Sequence, residues 1–350
     1  MNKSSNLRNG LAATAIVIAA GSAAWKTRDI LVEAYVSPKE VRARLMKDPV
    51  RVEGHYTDVI SVLRQNDLEV SDNRYSGLSY TAVFNYIKEN ADRYLGGLND
   101  KVVVEIGPGA SLAHAVLMGV AGIKEYHGVE LYTDDVLFDA RSYRTAIESA
   151  QAVSPRIFVR PIDEVIKIEG ERADINKEII KFHVFDTPDY DLLKISRAGS
   201  ADIVYSRSVL EHVEDPKKSL VDQCKLLKVG GIMIHDIDLR DHRDFTHPLE
   251  FLKYSQAEWE EVQNRNPVHG RQNRVRASEY RTALADHFRV LRWVENFSDY
   301  SRNLLRKNFT PVRVDEETQR SFDPYFQEMS REDLSVTNLS LVVRKVKECN

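Results

Sequence analysis

The sequence predicts an α/β protein, a doubly wound, seven-stranded, mostly parallel sheet preceded by an N-terminal helical extension. Three observations carry that prediction. Seven short apolar runs recur between residues 101 and 346. Helical stretches separate most of them, the order that builds parallel crossovers. The runs are rich in β-branched residues and show little alternation, as strands covered on both faces do.

The runs, in order, are "KVVVEIG" (101–107), "EYHGVEL" (125–131), "FHVFD" (182–186), "ADIVYS" (201–206), "GIMIHDID" (231–238), "FRVLRWVENF" (288–297) and "LSLVVRKV" (339–346). Helices are predicted at 110–121, 134–151, 216–228, 249–264 and 277–286. No clear helix lies between the last two runs, so they are expected as an antiparallel pair at one edge. Upstream, residues 27–98 read mainly as helix. Pro38 behind Ser37 marks one helix start. "SYTAVFNYIKENADRYL" carries apolar or aromatic side chains at 80, 83, 84, 87, 91, 94 and 95, one face of an amphipathic helix. The expected organisation is a hydrophobic segment (1–26), a helical region (27–98) and the sheet domain (99–348) with a substrate-side insertion at about 239–280.

Charge excludes one class of partner. With 49 basic against 53 acidic residues and a net charge of -4, there is no basic field for nucleic acid. Two cysteines, Cys224 and Cys349, make no disulfide framework and have no metal-ligand spacing, which points to a reducing compartment. "LAATAIVIAAGSAAW" (11–25) carries no charge and reads three ways: a membrane anchor or surface helix, a signal peptide, or a soluble helix. Basic residues are more numerous after it than before it, which favours a cytoplasmic bulk held near the membrane.

Ligands of such sheets bind at the carboxyl ends of the strands. There the first run ends in "EIGPGAS", with Glu105, Gly107, Pro108 and Gly109 in a tight turn. Glu130 closes the next run, where an acid meets ribose hydroxyls. The third glycine of the dinucleotide fingerprint is absent, since Leu112 stands in its place. The turn therefore suits a nucleoside without a diphosphate and counts against the alternative of an NAD-dependent oxidoreductase.

"VVEIGPGAS", Glu130, "VFD" at 184–186, "ADIVYSRSVLEHVEDP" at 201–216 and "LLKVGGIMIHDID" at 226–238 follow one another at suitable spacing. Together they resemble the successive motifs of the class I S-adenosylmethionine-dependent methyltransferases. The resemblance covers roughly residues 100 to 300 and a final strand near 340. It implies the Rossmann-like methyltransferase fold, with a last strand antiparallel to the rest, and S-adenosylmethionine as cofactor. By the same resemblance Glu105 and the turn Gly107, Pro108, Gly109 cradle the methionine part, Glu130 holds the ribose, Asp186 borders the adenine and Ser206 lies at the reactive end. The activity implied is methyl transfer, O-directed, to a small-molecule or glycan-type hydroxyl. A non-catalytic relative acting as an interaction module is the rival.

Base catalysis on a hydroxyl suits histidine. The candidates are His212 in "SVLEHVEDP", and His235 and Asp238 in "IMIHDIDLRDHRDFTH" (232–247). Strand alternation puts His235 on the face opposite Asp236 and Asp238, so the density of that stretch is not a metal signature and no metal is expected. Substrate contact and a structural loop both remain open for it. Arg271, Arg274 and Arg276 in "GRQNRVRASEY" read either as a cradle for an anionic substrate or as solvated charges paired with Glu279 or Asp286. The wider stripe loosely resembles a bacterial branch acting on surface polysaccharide or lipid-linked sugars.

Overall fold

The computed structural model describes residues 73–109, 111–130, 140–185, 192–245, 247–265, 271–297 and 311–349. The expectations for residues 11–25 and for Asp186 lie outside the described residues. Among the described residues, no helix is long and apolar enough to cross a membrane.

All seven predicted runs form one sheet: β1 (Val102–Ile106), β2 (Glu125–Glu130), β5 (Ile180–Val184), β6 (Ala201–Arg207), β7 (Leu227–Asp238), β8 (Phe288–Asn296) and β9 (Asn338–Lys345). Their order is β5-β2-β1-β6-β7-β9-β8. The first five strands pair in parallel, and β9 runs antiparallel between β7 and β8. The expected edge pair is therefore present, but its inner strand is the last one in sequence. Strand order reverses between β1 and β6, which opens a crevice at their carboxyl ends.

A small hairpin, β3 (Ile166–Glu169) with β4 (Arg172–Ile175), was not foreseen. Its strands are four residues each, too short for a clear period. Helices α1 (Asn73–Leu95), α2 (Ala113–Val120) and α3 (Ala140–Val153) cover one face. The α1 positions Phe84, Ile87 and Ala91 are buried in the same core as Val103, Tyr126 and Ile203. That helix is thus a layer of the sheet domain. The opposite core gathers Val104, Ile106, Met233, Leu341 and Val343 against α4 (Pro216–Leu226).

The helix predicted at 249–264 divides into a 3-10 turn, Glu250–Lys253, and α5 (Gln256–Arg265). Ser255 causes the break. Its hydroxyl accepts from the Glu258 N–H while Glu258 accepts from the Ser255 N–H, a reciprocal cap that starts a new helix. Around it Leu252, Trp259, Val314, Phe322, Phe326 and Leu334 form a satellite core, so residues 311–336 fold back onto the insertion. Arg276, at the start of α6 (Ala277–Leu284), pins the two together. Its buried guanidinium donates to the carbonyls of Leu239, Leu334 and Val336.

The cysteines correct the sequence expectation. Cys224 on α4 and Cys349 at the C-terminal end form a disulfide, with Cα atoms 6.0 Å apart across 125 residues of chain. Antiparallel insertion of β9 beside β7 brings the C-terminal segment back to α4, which no local spacing reveals.

Candidate active site

The turn after β1 is shaped by two glycines in the left-handed region, Gly107 at φ 72° and Gly109 at φ 75°. A Cβ on Gly107 would lie 2.3 Å from Cγ2 of Val209, so the turn seats directly on the chain that follows β6. A Cβ on Gly109 would meet nothing within 4 Å, which leaves space above the turn. The Gly109 N–H donates to Oε2 of Glu130 at 3.2 Å. A carboxylate and a bare backbone turn thus line one crevice, with Pro108 half-buried between them. Backbone left uncovered beside a carboxylate is what a nucleoside needs, so these residues fit S-adenosylmethionine.

Glu105 works from beneath. It is buried, and its Oε2 accepts from the Tyr126 hydroxyl at 2.7 Å and pairs with His114 Nε2 at 2.7 Å. Tyr80 of α1 stacks on His114, with ring centroids 6.2 Å apart. The carboxylate therefore ties the strand end to α2 and β2 and fixes the turn from inside the core.

At the ends of β6 and β7, Ser206 and His235 are cross-strand neighbours, and both are fully buried. The Ser206 hydroxyl bonds Nδ1 of His235 at 2.8 Å. Burial pushes the His235 imidazole down to about 3, so it is neutral near pH 7. Neither side chain reaches the crevice. Ser208 follows two residues on. It is exposed, holds a left-handed φ of 50° and donates its N–H to the Asp236 carbonyl. A non-glycine residue held there costs about 1–3 kcal/mol. Nothing in its residue type announced it.

The alternation of β7 is as expected, with His235 facing Ser206 and Asp236 accepting from Ser340 at 2.7 Å. Asp238 is committed to Arg240, whose Nε and Nη2 donate to its two oxygens at 2.9 and 2.6 Å. Burial pushes the Asp238 carboxyl up, but the Arg240 guanidinium outweighs it and holds the group well below the usual carboxylate range. Asp241 and Arg243 repeat the pairing at 3.0 and 2.6 Å, and the Arg243 guanidinium lies 4.4 Å from the Trp259 ring. The acid-rich stretch is thus largely self-neutralised.

Glu211 and His212 lie in a short 3-10 turn, Leu210–His212, just past β6. Glu211 is 1% exposed. Its Oε1 accepts from the Asp238 N–H at 3.3 Å, and its Oε2 has no hydrogen-bond partner among the described residues. Burial, then the charge of Asp238, raises its carboxyl well above the ordinary range. His212 is half-buried and donates from Nδ1 to the Arg271 carbonyl at 2.8 Å. That bond fixes the tautomer and leaves the Nε2 lone pair available. Burial, then His242, lowers its pKa. The ring of His242 lies 4.9 Å from that of His212, centroid to centroid.

Two of the three arginines are engaged by main-chain carbonyls. Arg274 donates to the carbonyls of Phe251 and Tyr254, and Arg276 to the three carbonyls named above. Both serve as backbone clamps. Beside them a cavity of about 450 Å³ is lined by His212, Gln263, Arg271, Asp323 and Tyr325, among others.

Residues 77–287 match the methyltransferase domain family. No curated protein matches the chain significantly. Among solved structures, a geranyl diphosphate methyltransferase in complex with S-adenosylmethionine is similar at 13% identity, over 96% of this chain and 100% of that one, with a TM-score of 0.42. The geranyl diphosphate C-methyltransferase of Streptomyces coelicolor is similar at 14% identity over 75% and 76% of the two chains, with a TM-score of 0.36. A methyltransferase of Bacillus halodurans is similar at 12% identity over 76% and 99%, with a TM-score of 0.37.

Proposed function

The chain belongs to the methyltransferase domain family and is an S-adenosylmethionine-dependent methyltransferase; from that premise we propose that it methylates a hydroxyl oxygen of a small-molecule or glycan-type acceptor. The Gly107–Gly109 turn and Glu130 would hold the cofactor, with Glu105 bracing the turn through His114 and Tyr126. When bound, the cofactor supplies a methyl group already activated by its sulfonium. What remains for the protein is to hold an acceptor oxygen in line and to manage its proton.

The observation that carries the acceptor reading is the setting of His212. Of the three catalytic candidates, His212 lines the cavity described above. His235 is buried on Ser206, and Asp238 is held by Arg240. His212 keeps a neutral ring with Nδ1 locked to a carbonyl, so Nε2 can accept a hydroxyl proton or bind an electrophile that draws it off. The cavity wall mixes amides, charges and the exposed Tyr325 with the rings of Trp259 and Phe326, and its hydrogen-bonding groups would suit a hydroxylated molecule.

The test is transfer of isotopically labelled methyl from the cofactor to a panel of sugars, lipid-linked sugars, carboxylic acids and amines. Base-stable ether products are expected from the hydroxylated acceptors. Label found only on nitrogen or carbon would overturn the acceptor class. Absence of S-adenosylhomocysteine binding by calorimetry would overturn the cofactor site, a separate failure.

A further inference from the structure

Glu211, His212 and His242 come from the turn after β6 and the loop after β7, and nothing in the assignment above requires the third of them. One ligand atom from each, a carboxylate oxygen and two imidazole nitrogens, lies within 4.8 Å of the others. We propose that these three residues form a site for a divalent transition metal of the zinc class at the mouth of β6 and β7.

Four observations carry the proposal. A carboxyl buried as deeply as Glu211, with one oxygen unpartnered among the described residues, would hold its charge only beside a cation. The guanidinium of Arg240 is already engaged two-pronged by Asp238. His212 presents Nε2 while Nδ1–H donates to the Arg271 carbonyl, the outer hydrogen bond that metal-ligating histidines nearly always have. Nε2 of His242 is likewise buried without a hydrogen-bond partner, standing 3.4 Å from Asp238 Oδ2 in poor alignment. Two imidazoles and one carboxylate are a ligand set known for catalytic zinc, with one position left open. Bonds of about 2.0–2.2 Å place tetrahedral ligands roughly 3.3–3.6 Å apart, so ligand atoms now within 4.8 Å of one another need to close by at most about 1.5 Å. The half-buried histidines and the cavity that His212 lines give an ion its way in.

The open position would take water or a hydroxyl. A metal-bound hydroxyl is far more acidic than a free one. Resting on the O-directed reading above, the metal would let an acceptor hydroxyl give up its proton to solvent water without His212 serving as base.

The test uses the full chain, stripped with chelator and titrated with zinc alone by calorimetry and with cobalt by visible absorption, without cofactor or acceptor. One equivalent is expected at this site, with a tetrahedral cobalt spectrum. Glu211→Gln, which keeps the side-chain shape, and His242→Ala, in a loop, should each weaken binding on the order of 100-fold or more. Cys224, His287 and Cys349 form the other group with ligand atoms this close among the described residues, so Cys349→Ser is the control and should leave the affinity unchanged. No zinc binding, or binding lost in Cys349→Ser and kept in the other two, would overturn the proposal. Because no cofactor is present, that failure is distinct from failure of the methyltransferase assignment.

Discussion

Arg240 closes on Asp238 with two hydrogen bonds, 2.9 Å from Nε and 2.6 Å from Nη2, at the buried end of β7. The pair sits where an acceptor-binding acid was expected and makes that acid a structural group instead. Asp238→Asn should destabilise the fold by about 3–5 kcal/mol, because it strands a buried guanidinium. The folded-state pKa of Asp238 lies below its unfolded value of about 3.9. Its stabilisation is therefore present above that value and lost as pH falls below about 4. Denaturant midpoints across pH 3–7 check this, and an unchanged midpoint in the variant would refute it.

Gly107 and Gly109 share a backbone conformation but not a neighbourhood. Gly107→Ala adds a 2.3 Å clash with Val209 to the strain of a left-handed residue, whereas Gly109→Ala carries the strain alone, about 1–2 kcal/mol. Thermal melts should therefore rank the wild type above Gly109→Ala and Gly109→Ala above Gly107→Ala. Equal losses would mean that Val209 yields freely.

Removing the carboxylate that receives the Gly109 N–H should weaken the cofactor site more than the fold. Glu130→Ala is predicted to lower affinity for S-adenosylhomocysteine about tenfold or more, the weight of one or two charged hydrogen bonds. Calorimetry with circular dichroism as a folding control is the measurement.

His235 should not titrate between pH 5 and 8. With a folded-state pKa of about 3, against about 6.5 when unfolded, the native protein binds fewer protons in that window, so stability falls as pH drops through it. Long-range nitrogen–proton NMR spectra should show constant His235 shifts across that window. A midpoint near 6.5 would show that the Ser206–His235 pair opens to water.

The Cys224–Cys349 bond closes a loop of 125 residues. Oxidised protein is expected to lose about 2–4 kcal/mol of stability on treatment with reductant. Cys349→Ser should melt at the reduced value and be indifferent to reductant, and a wild-type melt unmoved by reductant would refute the link.

The sequence by itself determined the seven strands, their parallel majority, the glycine turn and the acid at Glu130, because these follow from local periodicity, β-branched runs and the backbone freedom of glycine. It also separated His235 from Asp236 and Asp238, since a period of two is legible in one dimension. Only the tertiary structure decided which strand face would be dry and which side chains would find partners. Burial of Ser206 and His235, the turn of Arg274 and Arg276 onto carbonyls, the approach of His242 to Glu211 and the return of Cys349 to Cys224 each depend on contacts across 20 to 125 residues. Residue type announces what a side chain can do; the desolvation and neighbours that choose among those roles are set by packing, which no local pattern encodes.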